Sequence, residues 1–179
     1  MGVPMDDDQQ PHASTLRDHS PQLTARGSGI RPGVPEDAGQ LTSLYLRARA
    51  VAMPWLRSPH DEASTRWWME HIVLGEQRVR VVEDQAELLG FAAVEGAWLE
   101  QLYVDPERQG LGIGRRLLDD AKQARSAGLS LHVFTRNVAA RRFYEAAGFV
   151  LVDQSDGRRN EEQEPDCTYT WLLPARRTI

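Results

Sequence analysis

Residues Trp98 to Leu118, WLEQLYVDPERQGLGIGRRLL, decide how this chain folds. Trp98 to Val104 is a short apolar-rich run with aromatic and β-branched residues, which predicts a strand. Asp105-Pro106 breaks it, because Pro cannot donate to a ladder and Asp-Pro starts turns. Gln109-Gly110-Leu111-Gly112-Ile113-Gly114 then leads into Arg115-Arg116-Leu117-Leu118, where the apolar spacing becomes helical. A glycine turn that opens a helix leaves backbone N–H groups without partners. With the helix dipole, that makes an anion site suited to phosphate. Two familiar phosphate loops do not fit. No Lys-Ser or Lys-Thr follows the last glycine, and the third glycine is misplaced for the dinucleotide fingerprint.

Working outward, Ile30-Arg31-Pro32 predicts a first strand. Val34-Pro35-Glu36-Asp37 opens a helix, with Pro early and acids in its first turn. Leu41, Leu44, Tyr45 and Val51 form its apolar face, and Met53-Pro54-Trp55 ends it. A second helix is expected after Ser58-Pro59, through Trp67-Trp68 to Leu74, stopped by Gly75. Trp67 and Trp68 either pack this helix on the sheet, the reading favoured for Trp68, or line a ligand pocket; Trp55 fits both roles. Arg78 to Glu83 and Leu88 to Glu95 read as a hairpin joined by Asp84-Gln85-Ala86-Glu87. After the glycine turn, a helix should run from Gly114 to about Ala127, capped by Gly128. Leu129 to Thr135 is the next strand, Asn137 to Ala147 a helix closed by Gly148. Phe149 to Val152 and Cys167 to Leu173 are the last strands. Between them lies the charged loop Asp153 to Asp166; its acid-rich part, Asn160 to Asp166, reads by default as a solvated charge run, with attraction of a cationic group as the alternative.

The chain has 179 residues and a formal net charge of -5. That length suggests one domain, here 29–179, with a tail. Residues 1–28 are rich in Asp, Gln, Pro, Ser and His, so a disordered tail is expected. His12 and His19 lie there without a matching set of metal ligands. The acidic charge argues against a nucleic-acid binder. Cys167 is the only cysteine, which excludes an intramolecular disulfide and a cysteine-rich metal site. With no apolar run of membrane length and no signal-peptide pattern, a cytoplasmic protein without membrane partner is expected.

Gln109, Gly112 and Gly114, after the Leu-Tyr-Val-Asp-Pro strand and turn, resemble motif A of the GNAT superfamily of N-acetyltransferases. Asn137-Val138-Ala139-Ala140-Arg141-Arg142-Phe143-Tyr144-Glu145-Ala146-Ala147-Gly148-Phe149 resembles its motif B. The resemblance covers about Ile30 to Trp171; Gln109 stands where many members carry Arg. The resemblance implies an α/β fold, a mixed and mostly antiparallel seven-strand sheet flanked by four helices. It implies acetyl-CoA as co-substrate and no metal, with acetyl transfer to a small-molecule or peptide amine. The alternative is an acyl-CoA sensor without turnover. Dimers are frequent in the family, so a homodimer is open.

The resemblance also implies residue roles. Gln109, Gly110, Leu111, Gly112, Ile113, Gly114 and Arg115 would hold the pyrophosphate. The next strand should splay from Leu102, Tyr103 and Val104, freeing their backbone for the pantetheine arm. The Val104 N–H would then serve the oxyanion. Asn137, Ala140, Phe143 and Tyr144 would line the same arm, with Tyr144 near the sulfur as acid; Asn137 also reads as a helix N-cap. For a base, strict alternation puts Trp98 and Glu100 on the face of Leu102 and Val104, where Glu100 is the only acid. His132 on the next strand is either a second base or a satisfied strand residue.

Overall fold

The computed structural model describes residues 29–57, 60–125 and 127–173. The expected tail, Ser58-Pro59 and the residues after Leu173 lie outside them. Seven strands form one sheet in the order β1-β2-β3-β4-β5-β7-β6. They are β1 (Gly29–Pro32), β2 (Arg78–Asp84), β3 (Glu87–Glu95), β4 (Trp98–Val104), β5 (Leu129–Phe134), β6 (Val150–Ser155) and β7 (Asp166–Trp171). All neighbours pair antiparallel except β4 and β5. No described helix is long and apolar enough to cross a membrane.

Four helices cover the sheet. α1 is Ala38–Ala52, preceded by a 3-10 turn at Pro35–Asp37. α2 (Glu62–Trp68) starts where Asp61 accepts from the Ser64 N–H, then continues through a π turn, Met69–Val73, into Leu74–Glu76. Gly75 therefore does not stop this helix; it lies within its last turn. α3 is Ile113–Ala124 and α4 is Val138–Ala146. β6 reaches further than the sequence suggested, because β7 pairs with it as far as Ser155↔Asp166.

The sheet separates two cores. On one face, Leu41, Leu44 and Ala48 of α1 and Met69 and Val73 pack on Val79, Val81, Phe91 and Ala93. On the other, Ile113, Leu117 and Leu118 of α3 and Tyr144 of α4 pack on Val82, Ala92, Val94, Leu99, Leu131 and Tyr169. The strands contribute to both faces by alternation, which is why β3 is buried from Leu88 to Val94. Trp68 joins the first core through Tyr45, ring centroids 5.4 Å apart. Trp67 does not pack on the sheet; it is exposed and stacks on His71, one turn on.

α3 lies unusually close to β3. A Cβ on Gly90 would stand 2.9 Å from the Tyr103 carbonyl oxygen and 3.0 Å from Ile113 Cγ2. Gly90→Ala should therefore cost about 1–3 kcal/mol by overpacking. In urea unfolding, Gly29→Ala, whose Cβ would meet nothing within 4 Å, should stay near wild type. Equal stability of the two variants would mean that α3 does not depend on this contact.

Candidate active site

The parallel pair β4–β5 has one register partner, Trp98↔Ser130, with a bond from the Ser130 N–H to the Ala97 carbonyl at 2.8 Å. Beyond it the strands part, as expected. The Asp105 N–H is used by the Leu89 carbonyl on the β3 side, at 2.9 Å. Strand N–H groups alternate in direction, so the Val104 N–H is directed to the opposite side, into the gap.

The gap opens into a cleft of about 1160 Å³. One end is the glycine turn. Gly110 and Gly112 have φ of 79° and 78°, a left-handed conformation natural to glycine, and a Cβ on either would meet open space. No side chain caps α3, so its first-turn N–H groups face the cleft unpaired. A bulky, charged group can approach this backbone without obstruction. At the far wall Asn137 Oδ1 caps α4 by accepting from the Ala140 N–H at 3.1 Å. Asn137, Ala140, Phe143 and Tyr144 then line the cleft together.

Of the residues singled out in the sequence, Glu100, Leu102, Tyr103, Val104, Gln109, Gly110, Gly112, Ile113, Gly114 and Arg115 also line it. Leu111 does not: the residue is 40% exposed and is not part of the lining. The two left-handed glycines that flank it do line the cleft.

The strict alternation of β4 is also corrected. Ala93 pairs with Gln101 but Val94 with Leu99, so Glu100 is an extra residue, a β-bulge. Leu99 therefore takes the face of Leu102 and Val104, in the core with α3. Trp98 falls on the opposite face, stacked on His132 with centroids 4.7 Å apart. Glu100 opens onto the cleft at this end. Burial, then the charge of Glu95, raises its carboxyl above the usual range, and His132 partly offsets this.

Tyr144 is buried, and no described protein group hydrogen-bonds its hydroxyl. Burial, then nearby Tyr103, pushes the phenol well above its ordinary value, so it keeps its proton at neutral pH. His132 lines the cleft, with Nδ1 at 3.1 Å from Thr168 Oγ1.

The acidic loop is not a free charge run. Glu161 meets His60 at 3.0 Å, Glu162 meets Arg49 at 2.7 Å and Glu164 meets Arg136 at 3.4 Å. Asn160 Nδ2 donates to the Glu164 carbonyl at 2.7 Å and to Asp166 at 2.8 Å. Arg49 also donates to Tyr45 at 3.0 Å. Arg136 lies over Trp55, which is not part of the lining. These contacts tie the loop to α1 and the segment after it. Sequence reasoning missed that Ala48, Val51, Ala52 and Met53 border the cleft, and that Arg159, Glu162 and Asp166 do too. The acids were visible, but their arginine and histidine partners are remote in the chain.

The comparisons agree with this architecture. A model described as an acetyltransferase (GNAT) domain matches residues 75–151. The chain is 31% identical over 134 residues to the peptidyl-lysine N-acetyltransferase YiaC of Escherichia coli K12, covering 69% of this chain and 87% of that protein. It is 29% identical over 133 residues to the peptidyl-lysine N-acetyltransferase YjaB of Escherichia coli K12, covering 71% and 85%. In fold it resembles apo YjaB from Escherichia coli, with a TM-score of 0.68, 22% identity and coverage of 82% and 99%. It also resembles yncA of Salmonella typhimurium, solved with acetyl-CoA, at a TM-score of 0.61, 21% identity and coverage of 85% and 97%. The wedge between β4 and β5, the glycine turn and these relatives converge: the chain belongs to the GNAT family of acetyltransferases.

Proposed function

We propose that the protein transfers an acetyl group from acetyl-CoA to a primary amine, the side chain of a peptide lysine. The observation that carries this reading is the parting of β4 and β5 between an uncapped, glycine-led helix and an unpartnered buried phenol. The lysine acceptor rests on YiaC and YjaB, which are named for that substrate. Every residue in the reading lies in 29–179, the proposed catalytic domain, and none in 1–28.

The residues fit acetyl-CoA as co-substrate. Gln109, Gly110 and Gly112 to Arg115 would take the pyrophosphate, mainly by backbone N–H groups. The gap-facing backbone at Leu102 and Val104 would take the pantetheine amides, with Tyr103, Asn137, Ala140 and Phe143 along the arm. The thioester carbonyl would then meet the Val104 N–H, the donor for the oxyanion.

The acceptor must lose a proton before it attacks, because a lysine amine titrates at about 10.4. Glu100, at the amine's end of the cleft, promotes that loss as a carboxylate, by itself or through a neighbouring group that takes the proton. The neutral nitrogen bonds to the carbonyl carbon and the C–S bond breaks. Tyr144 hydrogen-bonds the sulfur as charge builds and supplies its proton. The nitrogen's second proton returns to the phenolate. Return is needed: a phenol titrating above about 10 is a weaker acid than a thiol at about 8.5.

Gly112→Glu should abolish acetyl-CoA binding in calorimetric titration, since its side chain and charge would occupy the phosphate position. Wild-type affinity would move the cofactor elsewhere. Tyr144→Phe keeps the ring and should keep acetyl-CoA affinity, while acetyl transfer to a lysine peptide falls by roughly 10²–10⁴. Undiminished single-turnover transfer would make the phenol structural. Binding of acetyl-CoA without transfer to any amine by the wild type would favour a sensor.

A further inference from the structure

We propose that His132 is the catalytic base that takes the proton from the acceptor amine, with Glu100 as its charge partner. This rests on the acetyl-transfer reading above and names the group that touches the amine.

The geometry around His132 is that of a held ring. Its side chain is exposed on β5, yet two contacts fix it. Trp98 stacks on one face, interplanar angle 17°, and Thr168 Oγ1 meets Nδ1 at 3.1 Å. In the tautomer whose Nδ1–H donates to Thr168, the other nitrogen, Nε2, carries a lone pair, and it has no partner among the described residues. Exposed histidines held only by solvent have no such fixed direction. The ring borders the cleft with Glu100.

Its place follows from the parting of the strands. Trp98 and Ser130 are the last paired residues, and His132 is the second residue of β5 beyond that pair. Leu131 and Val133 point into the core with α3, so His132 projects to the opposite face. The β4 bulge puts Trp98 on that face as well and presents Glu100 across the gap. One extra residue in β4 thus assembles a tryptophan, a histidine and a carboxylate from two strands. Imidazole suits proton removal at neutral pH, and a neighbouring carboxylate steadies the imidazolium that forms. The proton moves from the ammonium nitrogen to Nε2 and then to solvent. The freed nitrogen pair forms the new C–N bond.

The test uses one peptide in two forms: one with lysine, the other with an aminooxy group in place of the ε-amine. An aminooxy nitrogen is already neutral at pH 7, so it needs no base before attack. His132→Gln keeps a hydrogen-bonding side chain beside Thr168. With acetyl-CoA affinity unchanged as the control for folding, single-turnover transfer to the lysine peptide should fall by roughly 10²–10⁴. Transfer to the aminooxy peptide should fall only a few-fold. Equal losses on the two peptides would overturn the assignment, since a positioning or binding defect does not discriminate between them. Undiminished transfer to lysine would overturn it too, while leaving the acetyl-transfer reading intact. Wild-type enzyme inactive on both peptides would overturn both.

Discussion

Everything in this structure depends on two parallel strands that stop pairing. β4 and β5 share one register pair and then separate. A strand edge in the middle of a sheet presents N–H and C=O groups that must find partners, because leaving them dry and unpaired is costly. The sheet accepts that vacancy because its two halves are each held elsewhere. β4 is tied to β3 along its length, and β5 to β7. α3 carries the chain across from β4 to β5 and packs on the first half through Gly90, where any larger residue would push it off.

The two faces of the sheet then take different tasks. The α3–α4 face contributes the glycine turn, whose backbone stands open to the cleft, and the buried phenol of Tyr144. The α1 face contributes Glu100, His132 and the strapped loop. Arg49 is central to that strap: its side chain is 12% exposed and pairs with Glu162, itself 19% exposed. A pair so enclosed resists removal of one partner, because the other would be left charged and unpaired. The loop charges thus shape the wall by pairing with α1 more than they present free negative charge.

Much of this was legible in the sequence because it is local. Asp105-Pro106, the spaced glycines and Asn137 each act within a few residues, and the structure has a turn, an uncapped helix start and an N-cap there. The hairpin closes through Gln85 and Ala86, both with positive φ, where the polar break was read. What stayed hidden is non-local. The β4 bulge is a matter of register with β3, and no residue of Trp98 to Val104 announces it, so alternation put Trp98 on the wrong face. That Leu111 stays out of the cleft lining was hidden too, because a motif names residues but not which way each side chain faces in a turn. The partners of Glu161, Glu162 and Glu164 come from the α1 region and the β5–α4 turn, and only the fold brings them together.

The central claim is that the gap between β4 and β5, with the start of α3, is where acetyl-CoA lies. Amide hydrogen exchange, followed residue by residue with and without acetyl-CoA, reads this backbone directly. The account predicts that the ligand slows exchange at Leu102 and Val104 and at Ile113, Gly114 and Arg115. Amides of β2, already bonded on both sides, should change little. Unchanged exchange at Val104 and the α3 start, with protection appearing along β6 instead, would contradict it.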